Sequence, residues 1–308
     1  MPDGMTLEKK DHPKALLITV NYKSESSTLE LLASLDRLRG FSDIDVIVVD
    51  NCSGEENLSK LRARVAQRSN VELMESTTNC GYFGAAKFAY DHYLAESQAL
   101  PDWVIVCNHD VIVEDEEFLL KLCYQDCLGL GVIAPRIQLT GSGLDQNPFM
   151  KCRPSWLRLA SLQLIYSNYL FAAVWDRLFR LKQAFKANRK SGSSACDTKK
   201  QEIYAAQGSF LIFARKFFEA GGFLDENLFL YGEEISVAEI CRSLSLDIIY
   251  EPALTLWHNE HASTGNVLSR FSYNCQKRAL KYVSARYLGS AKPVLKPKES
   301  GTLTHATD

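Results

Sequence analysis

Short β-branched runs alternate with amphipathic stretches through the first third of the chain. Residues 15–20, 44–49, 71–74 and 103–107 are apolar runs too short for helices, and they predict buried strands. Between them, residues 26–38 place Leu29, Leu32, Leu35 and Leu38 at helical spacing. Residues 58–68 and 85–95 predict two further helices. Strand and helix in regular succession imply right-handed βαβ units and a mainly parallel sheet. Beyond Asp110 the alternation loosens. Residues 116–127 predict a helix, and residues 131–135, 207–213 and 246–250 predict strands, the last stopping before Pro252. Residues 271–288 predict a basic helix, and no internal repeat is present.

Polar clusters follow several of the apolar runs. Asp50 and Asn51 close the second, and Asn108-His109-Asp110 close the fourth. Open α/β sheets bind ligands at the carboxyl ends of their strands, so these two clusters are expected to face one crevice. Asp50 suits the imide N–H of a pyrimidine base, or else an Asx turn. Asp110 suits a diphosphate-bound divalent cation, or else a solvated turn. The stretch from Asn79 to Lys87 places Gly81, Gly84, Ala85 and Ala86 at a helix start. That start suits a diphosphate, or simple packing. It matches neither a Walker A loop nor GxGxxG. Glu233 and Glu234 follow Phe229-Leu230-Tyr231-Gly232. Adjacent carboxylates repel, which favours a base role, although acids at a helix N-terminus look the same. His258 follows Trp257, and is either a structural imidazole or a partner of Asp110 on a metal.

Composition narrows the class. The 308 residues are 46% hydrophobic and 23% charged, enough for a sizeable globular core. A net charge of −2 argues against a general nucleic-acid binder. The nine cysteines form no CxxC pair, so reduced thiols in a cytoplasmic protein are expected. Neither a signal peptide nor a membrane-spanning run is read. Residues 1–14 and 289–308 are expected to be disordered, and residues 191–198 to form a mobile loop.

Residues 151–190 stand apart. They hold nine Lys and Arg against one acid, Asp176, a local charge of +8, with Trp156, Trp175, Phe171, Phe179 and many Leu interleaved. Such a segment suits a membrane surface. It equally suits a packed helical subdomain or a dimer interface in a homo-oligomer.

In their order and spacing the motifs resemble glycosyltransferase family 2, the nucleotide-sugar transferases of the GT-A fold, nearest its rhamnosyltransferase-like and galactofuranosyltransferase-like bacterial members. The matching pieces are Thr19-Val20-Asn21-Tyr22, Val48-Val49-Asp50-Asn51-Cys52-Ser53, Asn79 to Gly84, Asn108-His109-Asp110, Gly208-Ser209-Phe210, Gly221 to Glu226, Leu230 to Glu234 and residues 258–265. The resemblance implies an α/β GT-A (Rossmann-like), mainly parallel sheet flanked by helices, with a helical, basic C-terminal portion. Residues 15–288 would form the catalytic domain: a nucleotide-binding half (15–135), a basic aromatic-rich helical insertion (136–200) and an acceptor half (201–288). It implies that Val20, Tyr22 and Asp50 hold the base, with Asn51, Asn79, Gly81, Tyr82, Gly84 and Asn108 along the nucleotide. Asp110 and His258 would bind Mg2+ or Mn2+, and Glu234, or Glu233 in its place, would deprotonate the acceptor. The donor would be a UDP- or dTDP-sugar. The acceptor would be a glycan or lipid-linked glycan of a cell-surface polysaccharide, met at the inner face of the membrane, with inversion at the anomeric carbon. Three departures stand out: one carboxylate at the DxD position, Glu for the catalytic Asp, and Lys87 near a position where relatives often carry Asn. The first keeps open a catalytically silent binding or partner protein. A nucleotidyltransferase is disfavoured, because no Gly-rich basic loop follows the first strand.

Overall fold

The computed structural model describes residues 14–97, 99–190, 199–259 and 268–289. The expectations for residues 1–13, 191–198 and 290–308 lie outside the described residues. Strand β1 (Ala15–Asn21) is buried along its whole length. Leu16, Ile18 and Val20 pack on one face of it, Ala15 and Leu17 on the other, as the two-residue period of a strand requires. A strand covered on both sides reads as a continuous apolar run, which is why its sequence does not alternate. Strands β2 (Asp45–Asp50) and β4 (Trp103–Asn108) flank β1 in parallel, with β3 (Val71–Glu75) outside β2. Helix α1 (Glu25–Leu35) covers one face through Leu31, Leu32 and Leu35. Helix α3 (Gly81–Ser97) covers the other through Phe83, Ala86 and Ala89, and α2 (Glu55–Val65) packs beside α1 and β3. Each fully buried Leu, Ile or Phe stabilises by about 1.5–3 kcal/mol, so these strands hold their ends firmly.

Beyond β4 the sheet is mixed. The elements are β5 (Val111–Ile112), α4 (Phe118–Cys123), β6 (Leu130–Leu139), α5 (Trp156–Ile165), α6 (Tyr169–Lys190), β7 (Gln201–Glu202), β8 (Phe210–Ala214), α7 (Arg215–Glu219), α8 (Glu233–Ser243), β9 (Asp247–His258) and α9 (Arg270–Val283), which runs into a π-helical turn, Ser284–Leu288. The strand order is β3-β2-β1-β4-β8-β6-β9-β5, with β7 also on β9. β8 runs antiparallel to both its neighbours. The parallel arrangement read from the βαβ succession therefore holds for the first four strands. After Asp110 the polarity is set by pairings that no βαβ alternation predicts.

Several boundaries move for physical reasons. The last strand does not stop at Pro252. It continues to His258, and its register against β6 jumps from Pro135↔Glu251 to Arg136↔Thr255. The extra residues form a bulge that absorbs the proline, which cannot donate to the ladder. Helix α3 begins at Gly81 rather than residue 85, and α4 is confined to six residues, Phe118–Cys123. None of the eight described cysteines forms a disulfide.

Candidate active site

The parallel register aligns Asn21 with Asp50 and Val20 with Asn108, so the polar strand ends lie side by side. Asn21 is fully buried and ties them together. Its Nδ2 donates to Asp50 Oδ1 at 2.8 Å and Ser53 Oγ at 3.1 Å, and its Oδ1 accepts from Thr28 Oγ1 at 2.9 Å. Asp50 Oδ2 accepts from the Ser53 N–H at 3.0 Å. Each Asp50 oxygen thus accepts one bond from the chain itself, which fixes the carboxylate at the strand end and leaves it further acceptor capacity.

Asn51 does face the crevice, and it also clamps the turn opposite. Its Nδ2 donates to Asn79 Oδ1 at 2.9 Å and to the Gly81 carbonyl at 3.1 Å, and its Oδ1 accepts from the Cys80 N–H at 2.8 Å. Asn79 Oδ1 also accepts from the Gly81 N–H at 3.0 Å. Gly81 has φ of +75°, and a Cβ there would lie 2.3 Å from the Phe229 carbonyl oxygen. No other residue meets both conditions. The next N–H, of Tyr82, donates to that same Phe229 oxygen at 3.0 Å. Gly84 lies within the helix, where a Cβ would sit 3.1 Å from Cys80 Cβ. That close approach gives Gly84 a packing role at the start of the helix. Lys87 pairs with Asp91 at 2.6 Å and lies outside the crevice wall.

Strand β5 pairs with the end of β9, Val111 opposite His258, and the Asn259 N–H donates to the Asp110 carbonyl at 2.8 Å. This brings together Asp110 and His258, 148 positions apart in the chain. His258 Nδ1 lies 2.7 Å from Gln146 Oε1, an acceptor, so Nδ1 carries the proton and Nε2 turns to Asp110 Oδ1 at 3.2 Å. Asp110 Oδ1 is buried with no hydrogen bond of its own. Burial opposes its ionisation, but His258 and His109 outweigh that and hold the carboxyl below its ordinary range. Once a protonated ring gives up its Nε2 proton, Nε2 and Asp110 Oδ1, 3.2 Å apart, suit neighbouring positions on one small cation, whose bonds are about 2.1 Å long. No cluster of three or more His, Cys, Asp or Glu exists among the described residues.

The acid pair starts α8. Tyr231 at φ of +69° and Gly232 at +87° are consecutive left-handed residues leading into it. For Tyr231 that conformation is strained, and strain of this kind gathers at functional sites. A Cβ on Gly208 would lie 3.1 Å from an Oε1 of each glutamate, so the pair sits against this glycine. Burial, and then the charge of Glu234, push the Glu233 carboxyl well above the carboxylate range. Burial raises Glu234 too, opposed by backbone N–H groups that include those of Gly208 and Gly232. The buried Tyr82 hydroxyl donates to the Gly208 carbonyl at 3.1 Å. It is raised first by burial and further by negative groups around it, including Glu233, Asp110 and Glu234. The two acidic clusters therefore converge on one tyrosine.

A cavity of about 330 Å³ joins these pieces, lined by Val20, Tyr22, Asn51, Asn79, Gly81, Tyr82, Asn108, His109, Asp110 and Glu233. Phe229, Leu230, Tyr231 and Phe271 complete its wall. Of the predicted residues, only Asp50, Gly84, Glu234 and His258 are off that wall; His258 reaches it through Asp110, and Glu234 through Glu233. Sequence reading missed Gln146 and Phe271, which carry no motif. It named Asn21, Gly208 and Phe229 without a role.

A model of glycosyl transferase family 2 matches residues 16–186. The low-salt glycan biosynthesis hexosyltransferase Agl10 of Haloferax volcanii is 25% identical over 244 residues, covering 79% of this chain and 66% of that protein. The mannosyltransferase PcManGT from Pyrobaculum calidifontis, solved in complex with GDP-Man and Mn2+, superposes with a TM-score of 0.53 at 14% identity, covering 92% of this chain and 66% of that one. GalNAc-T7 with UDP, GalNAc and Mn2+ superposes with a TM-score of 0.54 at 13% identity, covering 82% of this chain and 45% of that one. The chain thus spans less than two thirds of the length of each. The structural likeness establishes the fold, GT-A.

Proposed function

The chain belongs to glycosyl transferase family 2, and we propose that it transfers a sugar from a nucleotide-sugar donor to an acceptor hydroxyl with inversion. One observation carries this: the polar strand ends, Asp110 and Glu233 line a single cavity. The base and ribose would lie against Val20, Tyr22, Asp50 and Asn51, with Asn21 fixing the Asp50 carboxylate from behind. The diphosphate would follow Asn79, Gly81, Tyr82 and Asn108 toward Asp110. Asp110 and His258 would hold a divalent cation, Mg2+ or Mn2+, with Gln146 fixing the ring; when bound, the cation neutralises charge on the leaving diphosphate. That Mn2+ accompanies the nucleotide sugar of the mannosyltransferase and the UDP of GalNAc-T7 supports this donor chemistry.

The pair Glu233–Glu234 acts as one proton acceptor, since carboxylates that interact strongly titrate as a unit. It takes the proton of the acceptor hydroxyl. The freed oxygen attacks the anomeric carbon from the face opposite the diphosphate, whose oxygen leaves with the bonding electrons. The donor is a UDP- or dTDP-sugar such as rhamnose or galactofuranose, and the acceptor a glycan or lipid-linked glycan of a cell-surface polysaccharide. A thermal-shift titration with UDP- and dTDP-sugars, with and without Mn2+, tests the reading. A donor at 100 times its Kd adds about 2.7 kcal/mol of stability. Metal-dependent stabilisation by one donor is expected. No response to any donor would overturn the reading in favour of a silent family member.

A further inference from the structure

Helices α5 and α6 carry their apolar side outward. In α5 no residue is buried, and Trp156, Leu157 and Leu164 share one exposed face, Trp156 at 74% and Leu164 at 70%. In α6, Leu170, Phe171, Val174, Trp175, Leu178 and Phe179 recur at i, i+1, i+4, i+5, i+8 and i+9 and are all exposed. The opposite side holds the helix to the protein. Ala172 is fully buried there, Arg270 of α9 stacks on the Tyr169 ring at 4.2 Å, and Tyr169 donates to the Leu268 carbonyl at 2.7 Å. An ordinary surface helix is apolar inward and polar outward; this one is reversed. A contiguous apolar patch of this kind on a folded domain marks an interaction surface.

The charges around it select the partner. Arg158, Arg177 and Lys182 are exposed on the same two helices, and residues 151–190 carry +8 overall. A second copy docking face to face would set like charge against like charge. An anionic bilayer would meet both the basic residues and the aromatic and aliphatic side chains. No helix among the described residues is long and apolar enough to cross a membrane, so the face lies on the bilayer rather than through it. We infer that the α5–α6 face is a docking surface for an anionic lipid membrane.

The face is joined to the cavity by the first turn of α9, whose four residues each take a different neighbour. Arg270 stacks on Tyr169 of α6. Phe271 lines the cavity and meets Phe229 edge-on at 6.4 Å. Ser272 Oγ lies 3.1 Å from the Tyr231 hydroxyl, and Tyr273 packs on Tyr166 and Tyr169. The cavity mouth is thereby fixed relative to the bilayer surface.

Co-sedimentation of the full chain with vesicles of phosphatidylglycerol and phosphatidylcholine, against phosphatidylcholine alone, tests the inference. Binding to the anionic vesicles only, weakened by salt, is expected. Reversing Arg158, Arg177 and Lys182 to Glu is expected to lower partitioning on the order of a hundredfold, at about fivefold per basic residue. The variant Leu170→Ser/Val174→Ser/Leu178→Ser tests the apolar contribution, and far-UV circular dichroism reports its fold. Equal binding by the charge-reversed and native chains, or no binding to anionic vesicles, would overturn the inference. So would a solution dimer that the serine variant converts to monomer, because a second copy would then cover the face. None of these outcomes bears on donor binding, which the thermal-shift titration reads separately.

Discussion

On the strand-end side of the crevice, Asn21, Asp50, Asn51 and Asn79 hydrogen-bond one another and the backbone around them. On the far side, Asp110 Oδ1 is buried with only the His258 ring beside it at 3.2 Å, and two carboxylates crowd one glycine. Both sides are polar, and both come from residues that a sequence search would mark as a site. They differ in what their atoms still have to offer. Satisfied groups stiffen a wall and contribute about 0.5–1.5 kcal/mol each. Buried groups short of partners cost stability in the free protein, and that cost marks the place where a ligand completes the shell.

The comparison breaks most visibly at Glu233. Glu233→Gln is expected to lower turnover by about 10²–10⁴-fold and at the same time to raise Tm at neutral pH. The sign follows from the raised carboxyl. Above its ordinary value of 4.5 the unfolded chain releases the proton first, so the folded state is the one that loses stability as pH rises. Removing the charge removes that loss, at about 2–4 °C per kcal/mol. Transfer assays with paired thermal melts check both halves, and a fall in both would place Glu233 on the stiffening wall instead. By the same titration, turnover of the native chain should climb with pH from the acid side while its melting temperature falls.

Asp110→Asn comes next. Donor-dependent stabilisation by Mn2+ is expected to weaken by more than about 100-fold, and Gln146→Ala, which only frees the imidazole, by about 10–100-fold. Isothermal titration with the nucleotide and Mn2+ separates the two, and equal effects would contradict a supporting role for Gln146. The smallest effect on chemistry is expected from Asn51→Ala. It strands the Cys80 N–H, at about 1–3 kcal/mol for a buried group left unpaired. Urea unfolding should show the loss, with turnover at saturating donor changed much less. A variant as stable as the native chain would show that the clamp contributes nothing.

The stiff wall was the more legible side. Continuous apolar runs announced β1, β2 and β4, and the alignment of their ends followed from the parallel rule, so Asn51 and Asn108 were placed together from sequence. The use made of each side chain was not legible. Asp50 reads as a base contact, but no local pattern shows that Asn21 and the Ser53 N–H fix its carboxylate. Gly84 reads as part of a phosphate loop, and its packing against Cys80 is visible only in the structure. On the other wall, the Asp110–His258 contact depends on the β5–β9 pairing, and Gln146 on a loop after β6, neither of which any local pattern encodes. Pro252 misled the boundary of β9 because a bulge can absorb what a regular ladder cannot.

The position of β8 bears on how the chain is made. Its five residues lie between β4 and β6, yet they come about a hundred residues after the end of β4, roughly 5–20 s of synthesis at about 5–20 residues per second. During that interval the partner that completes the edge of β4 does not yet exist, although β1, β2 and β3 can already assemble. An open strand edge of that kind invites pairing with other chains. The span that the family model matches, residues 16–186, ends inside this interval. A fragment cut there would retain the strand-end wall, lose both glutamates and His258, and keep its edge uncovered.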